Sequence, residues 1–307
     1  MDNFTTKENI KNILEIAVNA PSGENSQPWR FEVEGNKIHI FNIPGRSHSL
    51  YIFEQKGTLI AHGALIENIL ITAPVFGYNA TIVLLPDDTN YNFVATISLD
   101  EALSNKQEDE PLYPYIVKRA TNRKSYRRTP LKKEQLEDLE HTANEIGEKG
   151  IVLIQDPKRM KDVAIAGSVY EQVMFSNRSI HNFFFEHISW TKKEEAKKKI
   201  GLYIKTLELP PFTHIVLKLL RHWAVMSLLN KLGAAKIIAK VNAAKYATAS
   251  AMAVFTVKDN SLRDFIVAGR LMQRLWLKIT KMGLSAQPIA GTLFFMHAIT
   301  EGEADTF

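Results

Sequence analysis

Two short segments are the densest in side chains able to do chemistry. Residues 20–29 pack Pro21, Pro28 and Gly23 together with Ser22, Glu24, Asn25, Ser26 and Gln27, between a helical pattern and a strand pattern. Proline fixes φ and removes a donor, whereas Ser, Asn and Gln both donate and accept. Such a loop suits a flat heteroaromatic ligand with mixed donors and acceptors. It equally suits a turn whose polar side chains bond their own backbone. Residues 118–126 set Lys118, Arg119, Thr121, Arg123 and Lys124 just ahead of Thr129-Pro130, which reads as an N-cap followed by proline at the first helical position. Guanidinium forks, hydroxyls and free N–H groups at a helix N-terminus are what a phosphate needs. The alternatives are a solvated basic face and a nucleic-acid patch, the latter without any RNP, helix-turn-helix or zinc pattern beside it.

Other chemistry is sparse. No Gly-rich phosphate loop occurs, since Lys56-Gly57-Thr58 lacks the spaced glycine before it. His62, His181, His187, His214 and His222 form no pair at helical ligand spacing with a glutamate, so no zinc site is expected. No Gly-x-Ser-x-Gly elbow points to a hydrolase. The chain has no cysteine, which removes disulfides, thiolate metal sites and cysteine nucleophiles together.

The elements that must position the two segments are legible in part. Thr5 and Glu8 read as a capping box, with Ile10, Ile13, Leu14, Ala17 and Val18 at helical spacing up to Pro21. Residues 29–33 and 37–41 flank Glu34-Gly35-Asn36 as a hairpin. A nearly all-apolar helix over 58–72 follows, ended by Pro74 and Gly77, and then a strand over 79–85. The polar stretch 104–110 reads as a connector and divides the chain into halves 1–110 and 111–307. Beyond it come the helix opened by Thr129, a strand over 151–154, helices opened by Asp156-Pro157 and by the Thr191/Glu194 box, and a strand over 251–257.

An internal similarity ties the halves together. Residues 60–66 lie on 266–272 with an offset of 206, and at the same offset Gly63 meets Gly269 and Gly77 meets Gly283. The similarity is either chance between two buried helices or one module used twice, each copy presenting a central helix to the other.

Composition sets the frame. The 307 residues are 45% hydrophobic and 23% charged, enough for a large core and outside the disordered and low-complexity classes. Lys and Arg exceed Asp and Glu by 38 to 33, and the surplus is concentrated at 118–133 and 192–199. The N-terminus lacks a basic and apolar leader pattern, and the apolar region 210–257 is interrupted by Lys218, Arg221, Lys231, Lys236, Lys240 and Lys245. The expectation is a cytoplasmic protein with an amphipathic middle and no membrane or nucleic-acid partner.

The two dense segments, in this order, resemble the nitroreductase-like FMN flavoprotein family. Residues 20–29 look like its Ser-x-x-Asn-x-Gln-Pro-Trp loop, and Arg119, Thr121 and Arg123 look like its basic phosphate motif. In two-subunit members the basic motif comes first. The reversed order here, with the repeated helix, is similar to the Acg-like branch in which a single chain mimics the dimer. Trp190, Gly201-Leu202, Leu207-Glu208-Leu209-Pro210, Asp264 to Gly269 and Gly283 to Pro288 also look like that branch.

The resemblance implies an α+β fold, a tandem pseudo-dimer of sheets flanked by helices, with FMN where the halves meet. It puts Arg119, Thr121 and Arg123 on the phosphate and ribityl chain, and Pro21, Ser22, Asn25 and Gln27 on the isoalloxazine and ribityl groups. Ser285 and Gln287 would lie near the ring. No side chain is implied as a catalytic acid, base or nucleophile, because the flavin carries the electrons. The implied activity is NAD(P)H-driven two-electron reduction of a nitroaromatic or quinone acceptor. The alternative is an FMN-sequestering or sensing protein with little turnover, motivated by two departures. The region 167–245 reads as an inserted helical segment, either lid or core, and the chain stops at Glu303 to Phe307 where relatives continue. A monomeric pseudo-dimer is implied, with a homodimer also open.

Overall fold

The computed structural model describes residues 3–46, 55–102, 110–146 and 150–292. Most of the connector 104–110 and the stop at 303–307 lie outside these residues. Helix α1 (Asn3–Ala17) buries Ile10, Ile13 and Ala17, the i, i+3, i+7 face that the spacing foretold. It already runs from Asn3, so Thr5 sits within the first turn and is not its cap. Strands β1 (Trp29–Glu34) and β2 (Lys37–Asn42) form the expected hairpin, Glu34 opposite Lys37, with Gly35 at φ +58° in the turn.

Helix α2 (Lys56–Thr72) is buried almost all round and ends in a tight turn at Ala73–Phe76. Among the described residues, Lys56–Phe76 is one stretch with the length and apolar character of a membrane span. With 72% of its most apolar window buried, it is the central core helix. Strands β3 (Tyr78–Leu84) and β4 (Phe93–Glu101) complete an antiparallel sheet in the order β1-β2-β4-β3. Strand β4 was not foreseen, although Val94, Ala95, Ile97 and Leu99 sit on its core side, against Ile38 and Ile40.

Part of the first half's element order recurs in the second. Helix α3 (Lys133–Glu145), strand β5 (Ile151–Ile154), strand β8 (Met252–Phe255) and helix α10 (Leu262–Lys281) follow the helix-strand-strand-helix order of α1, β1, β2 and α2, with β5 and β8 antiparallel. Helix α3 starts later than expected. Its N-cap is Lys132, with Gln135 closing a capping box, while the Thr129 carbonyl accepts from Ser250 Oγ at 2.5 Å and so is not part of the helix.

The offset of 206 is a real pseudo-twofold. A Cβ on Gly63 would lie 2.0 Å from the Ile266 carbonyl oxygen, and one on Gly269 would lie 2.1 Å from that of Ile60. Each glycine thus seats against the carbonyl three residues before the other, and α2 and α10 cross at backbone contact. The polar pairs obey the same exchange. Glu67, fully buried, accepts from Arg274 Nε, and the positions related by 206 hold the Gln273 Nε2 to Asn68 Oδ1 bond at 2.7 Å. One crossing point therefore carries an ion pair and its counterpart an amide pair. Glu67 also accepts from Arg270 Nε at 2.9 Å, and Glu145 extends the network to Arg274 and Lys278.

Where the first half has a two-residue turn between its strands, the second half has an excursion of 97 residues between β5 and β8. It holds α4 (Pro157–Ser176), α5 (Arg178–Glu186), β6 (Ile188–Ser189), α6 (Lys192–Lys198), β7 (Leu202–Tyr203), α7 (Thr213–Leu220), α8 (Trp223–Asn230) and α9 (Ala234–Tyr246). Asp156 and Thr191 cap α4 and α6 as expected. The helices between β5 and β8 run from Pro157 to Tyr246. The core of this insertion gathers Met174, Phe175, Ile180, Phe185, Ile188 and Met226.

Candidate functional site

The loop 20–29 is strained. Glu24, Asn25 and Gln27 have φ of +45°, +55° and +48°, a left-handed conformation costing about 1–3 kcal/mol per non-glycine residue. Local bonds hold it: Gln27 N donates to Ser22 Oγ at 3.1 Å, and Gln27 Nε2 donates to Asn25 O at 3.3 Å. Ser22 and Gln27 therefore spend polar groups on their own backbone, while Asn25 is exposed. The carboxyl of Glu24 is enclosed, and burial pushes its pKa up to about 7.

The basic segment reaches this loop through Arg119, whose Nη2 donates to Asn19 O at 3.1 Å. Its guanidinium carbon stands 4.4 Å from the centre of the Trp276 ring, a cation–π contact supplied by α10. Its Nε is buried with no acceptor, and among the described residues no carboxylate pairs with it. Desolvation lowers its pKa to about 10, so the side chain is still a cation at neutral pH.

The third candidate segment joins these two. Thr121 bridges to Ala286 in parallel, and Asn122 N donates to Ala286 O at 3.0 Å. This sets Gln287 beside the basic segment, and its Oε1 is buried without a donor. Ser285 is exposed. Backbone pairing and the Arg119–Asn19 bond thus bring the loop, the basic segment and 285–287 to one place. The helix N-terminus expected beside them is absent from it, because α3 begins only at Lys133.

A strap from the insertion, residues 199–208, crosses both dense segments. Gly201 N donates to Glu24 O at 2.8 Å, and Lys199 O accepts from Gln27 Nε2 at 3.1 Å. Gly201, at φ +88°, leaves no room for a Cβ, which would lie 2.3 Å from His187 O. Further along, Arg123 donates from its backbone N to Glu208 Oε2 at 2.7 Å and from Nη1 to Thr206 O at 2.9 Å, and Lys124 pairs with Glu208 at 3.5 Å. Arg123 is consequently committed to the strap, and its cation faces protein acceptors.

A buried titratable cluster joins α4 to α9. Tyr246 donates to Glu171 Oε1, and Glu171 Oε2 has no partner. Burial raises the pKa of both groups, and Lys245 is lowered by burial.

Comparison with known proteins gives this geometry a context. A family described as "Putative TM nitroreductase" matches residues 1–61, which include the strained loop. The chain is 27% identical over 40% of its length to "Putative NAD(P)H nitroreductase Rv3131" of Mycobacterium tuberculosis (strain ATCC 25618 / H37Rv), covering 36% of that protein. It is 28% identical over 33% of its length to "Putative NAD(P)H nitroreductase acg" of the same strain, covering 30% of it. Over these stretches the chain is similar to nitroreductase-family proteins. A wider match, 22% identical over 91% of the chain, is to "Uncharacterized protein MT1398" of M. tuberculosis (strain CDC 1551 / Oshkosh), of which it covers 38%. The chain thus spans about a third of the length of these curated relatives.

Several contributors to this site escaped sequence reasoning. Trp276, Asn19, Thr206 and Lys199 act across 83 to 172 residues of separation or through a ring face, and no local motif announces such contacts. Glu208 was singled out only as part of a resembling segment. Among the described residues no group of three or more His, Asp or Glu side chains could hold a metal ion.

Proposed function

We propose that the chain is an FMN-dependent oxidoreductase that uses NAD(P)H to reduce nitroaromatic or quinone-type acceptors by two electrons. The observation that carries this reading is Arg119: a mostly enclosed cation, stacked on Trp276, with an unpartnered Nε and no acidic neighbour among the described residues. Such a group is costly unless an anion completes it. Gln287 Oε1, the second orphaned polar atom of the cluster, offers an acceptor to an N–H edge. Together they fit the phosphate and polar rim of FMN.

Bound there, FMN would supply the hydride and electron transfer. The chain's own residues bind and orient. Arg119 would hold the phosphate, with Thr121 and its backbone bridge to Ala286 fixing the approach of 285–287. Pro21, Ser22 and Gln27 keep the loop in its strained shape, and Asn25 is left exposed to meet the ligand. Arg123 adds positive potential while remaining bonded to the strap. Backbone N–H groups and these cations would favour a reduced, anionic ligand. The test is anaerobic mixing of flavin-loaded protein with NADPH or NADH. Bleaching of the flavin absorbance followed by reoxidation with a quinone supports the reading, and a flavin that stays oxidised refutes it.

The strap supports a second reading, an FMN-holding protein with little turnover. Its bonds to Glu24, Gln27 and Arg123 tie both binding segments to one covering element, which would restrict nicotinamide access. Tight flavin binding without reduction by NAD(P)H is the result that selects it. A single chain with the pseudo-twofold built in is proposed as the functional unit, in the cytoplasm and without a nucleic-acid partner.

A further inference from the structure

The helices that follow the strap turn their apolar stripes outward. On α7 and its N-cap, Phe212, Ile215 and Leu219 are 74%, 51% and 59% exposed, a spacing that lines one helical face. On α8 and the turn after it, Leu228 and Leu232 are 63% and 80% exposed. On α9, Ile237 and Val241 are exposed at i, i+4. The opposite faces are the packed ones: Leu217, Met226 and Ala235 are buried in the core of the insertion. The stripes therefore do not result from loose helices.

The charge pattern around them is one-sided. From Leu209 to Val257 the sequence contains no Asp or Glu, while Lys218, Arg221, Lys231, Lys236 and Lys240 are all exposed. A second copy of the chain seated on this face would bring the same cations against themselves with no carboxylate in the patch to answer them. A surface offering both an apolar layer and negative charge matches it on both counts.

We propose that helices α7–α9 dock on an anionic lipid bilayer, with Phe212 and Leu232 entering the interface and the lysines meeting the headgroups. This proposal departs from the expectation of no membrane partner. That expectation followed from the absence of a spanning run in 210–257, and a surface-lying helix needs none. The proposal stands independently of the flavin reading.

The test is co-sedimentation of the full 307-residue chain with phosphatidylcholine vesicles, with and without about 30% phosphatidylserine. The expected result is pelleting with the anionic vesicles only, weakened by raising the salt to about 1 M. The double variant Phe212→Glu, Leu232→Glu should lower the bound fraction at fixed lipid by about tenfold or more. Lys236→Glu with Lys240→Glu should also weaken binding, and both variants should keep the circular dichroism of the parent. Protein left in the supernatant with every vesicle would overturn the proposal, as would double-variant binding equal to that of the parent. So would a dimer seen by light scattering that the double variant dissociates in the absence of any vesicle binding.

Discussion

Replacing Arg119 by alanine separates phosphate recognition from every other role of the site. In the folded chain the guanidinium makes a 3.1 Å bond to Asn19 O and stacks 4.4 Å from the Trp276 ring centre, and its Nε has no acceptor. Truncation loses the stacking, about 0.5–1 kcal/mol, and the carbonyl bond, but also removes a cation from an enclosed place without a counter-charge. These effects oppose each other, so the ligand-free stability should change little. Binding should not be so balanced. A charge-assisted bond to a phosphate contributes about 1.5–3 kcal/mol, so Arg119→Ala should weaken FMN roughly ten- to hundredfold. Riboflavin, which lacks the phosphate, should bind almost as before, and Arg119→Lys should recover part of the FMN affinity. Isothermal titration of both flavins against the three proteins measures this. Equal weakening of FMN and riboflavin, or no weakening of either, would refute the assignment of Arg119 to the phosphate.

Four further outcomes are expected. Gly269→Ala places a Cβ 2.1 Å from Ile60 O, so α2 and α10 must separate; thermal unfolding should show a loss of about 3 kcal/mol or more. Glu67→Gln strips Arg270 and Arg274 of their buried carboxylate and should cost about 3–5 kcal/mol in denaturant titration, whereas an exposed control such as Glu15→Gln should cost almost nothing. Glu24 has its pKa raised from 4.5 to about 7, so between those values the folded chain holds a proton that the unfolded chain has lost. Stability from this group should therefore be full below about pH 4.5 and fall as the pH rises to about 7; melting curves of Glu24→Gln should lack that decline. Glu208→Ala removes the acceptor of Arg123 N and the partner of Lys124, so stopped-flow exchange of bound flavin should accelerate.

How legible this was in the sequence depended on the range of the interaction. The hairpin was plain because Gly35-Asn36 is a local turn signal; the α2–α10 crossing was one of two readings of the 206-residue offset, and the glycines seated on each other's carbonyls decide for it. The start of α3 was misplaced because Thr129-Pro130 carries the right local chemistry, but its carbonyl is claimed by Ser250, 121 residues away. Strand β4 was passed over despite its alternation. Of the candidate site, the three segments could be named in advance, and their meeting was implied by the family resemblance alone, with no local pattern to announce it. It depends on the Thr121–Ala286 bridge and on a strap that binds Arg123 through Glu208. Periodicity marked the insertion as amphipathic without saying which way its stripes face.

The central claim is that these segments together hold a flavin. The most direct test is the visible absorbance spectrum of the purified chain after incubation with FMN and desalting, then after anaerobic addition of NADPH or NADH. The account predicts a retained flavin spectrum that bleaches with the nicotinamide. A colourless protein after desalting would contradict the site itself.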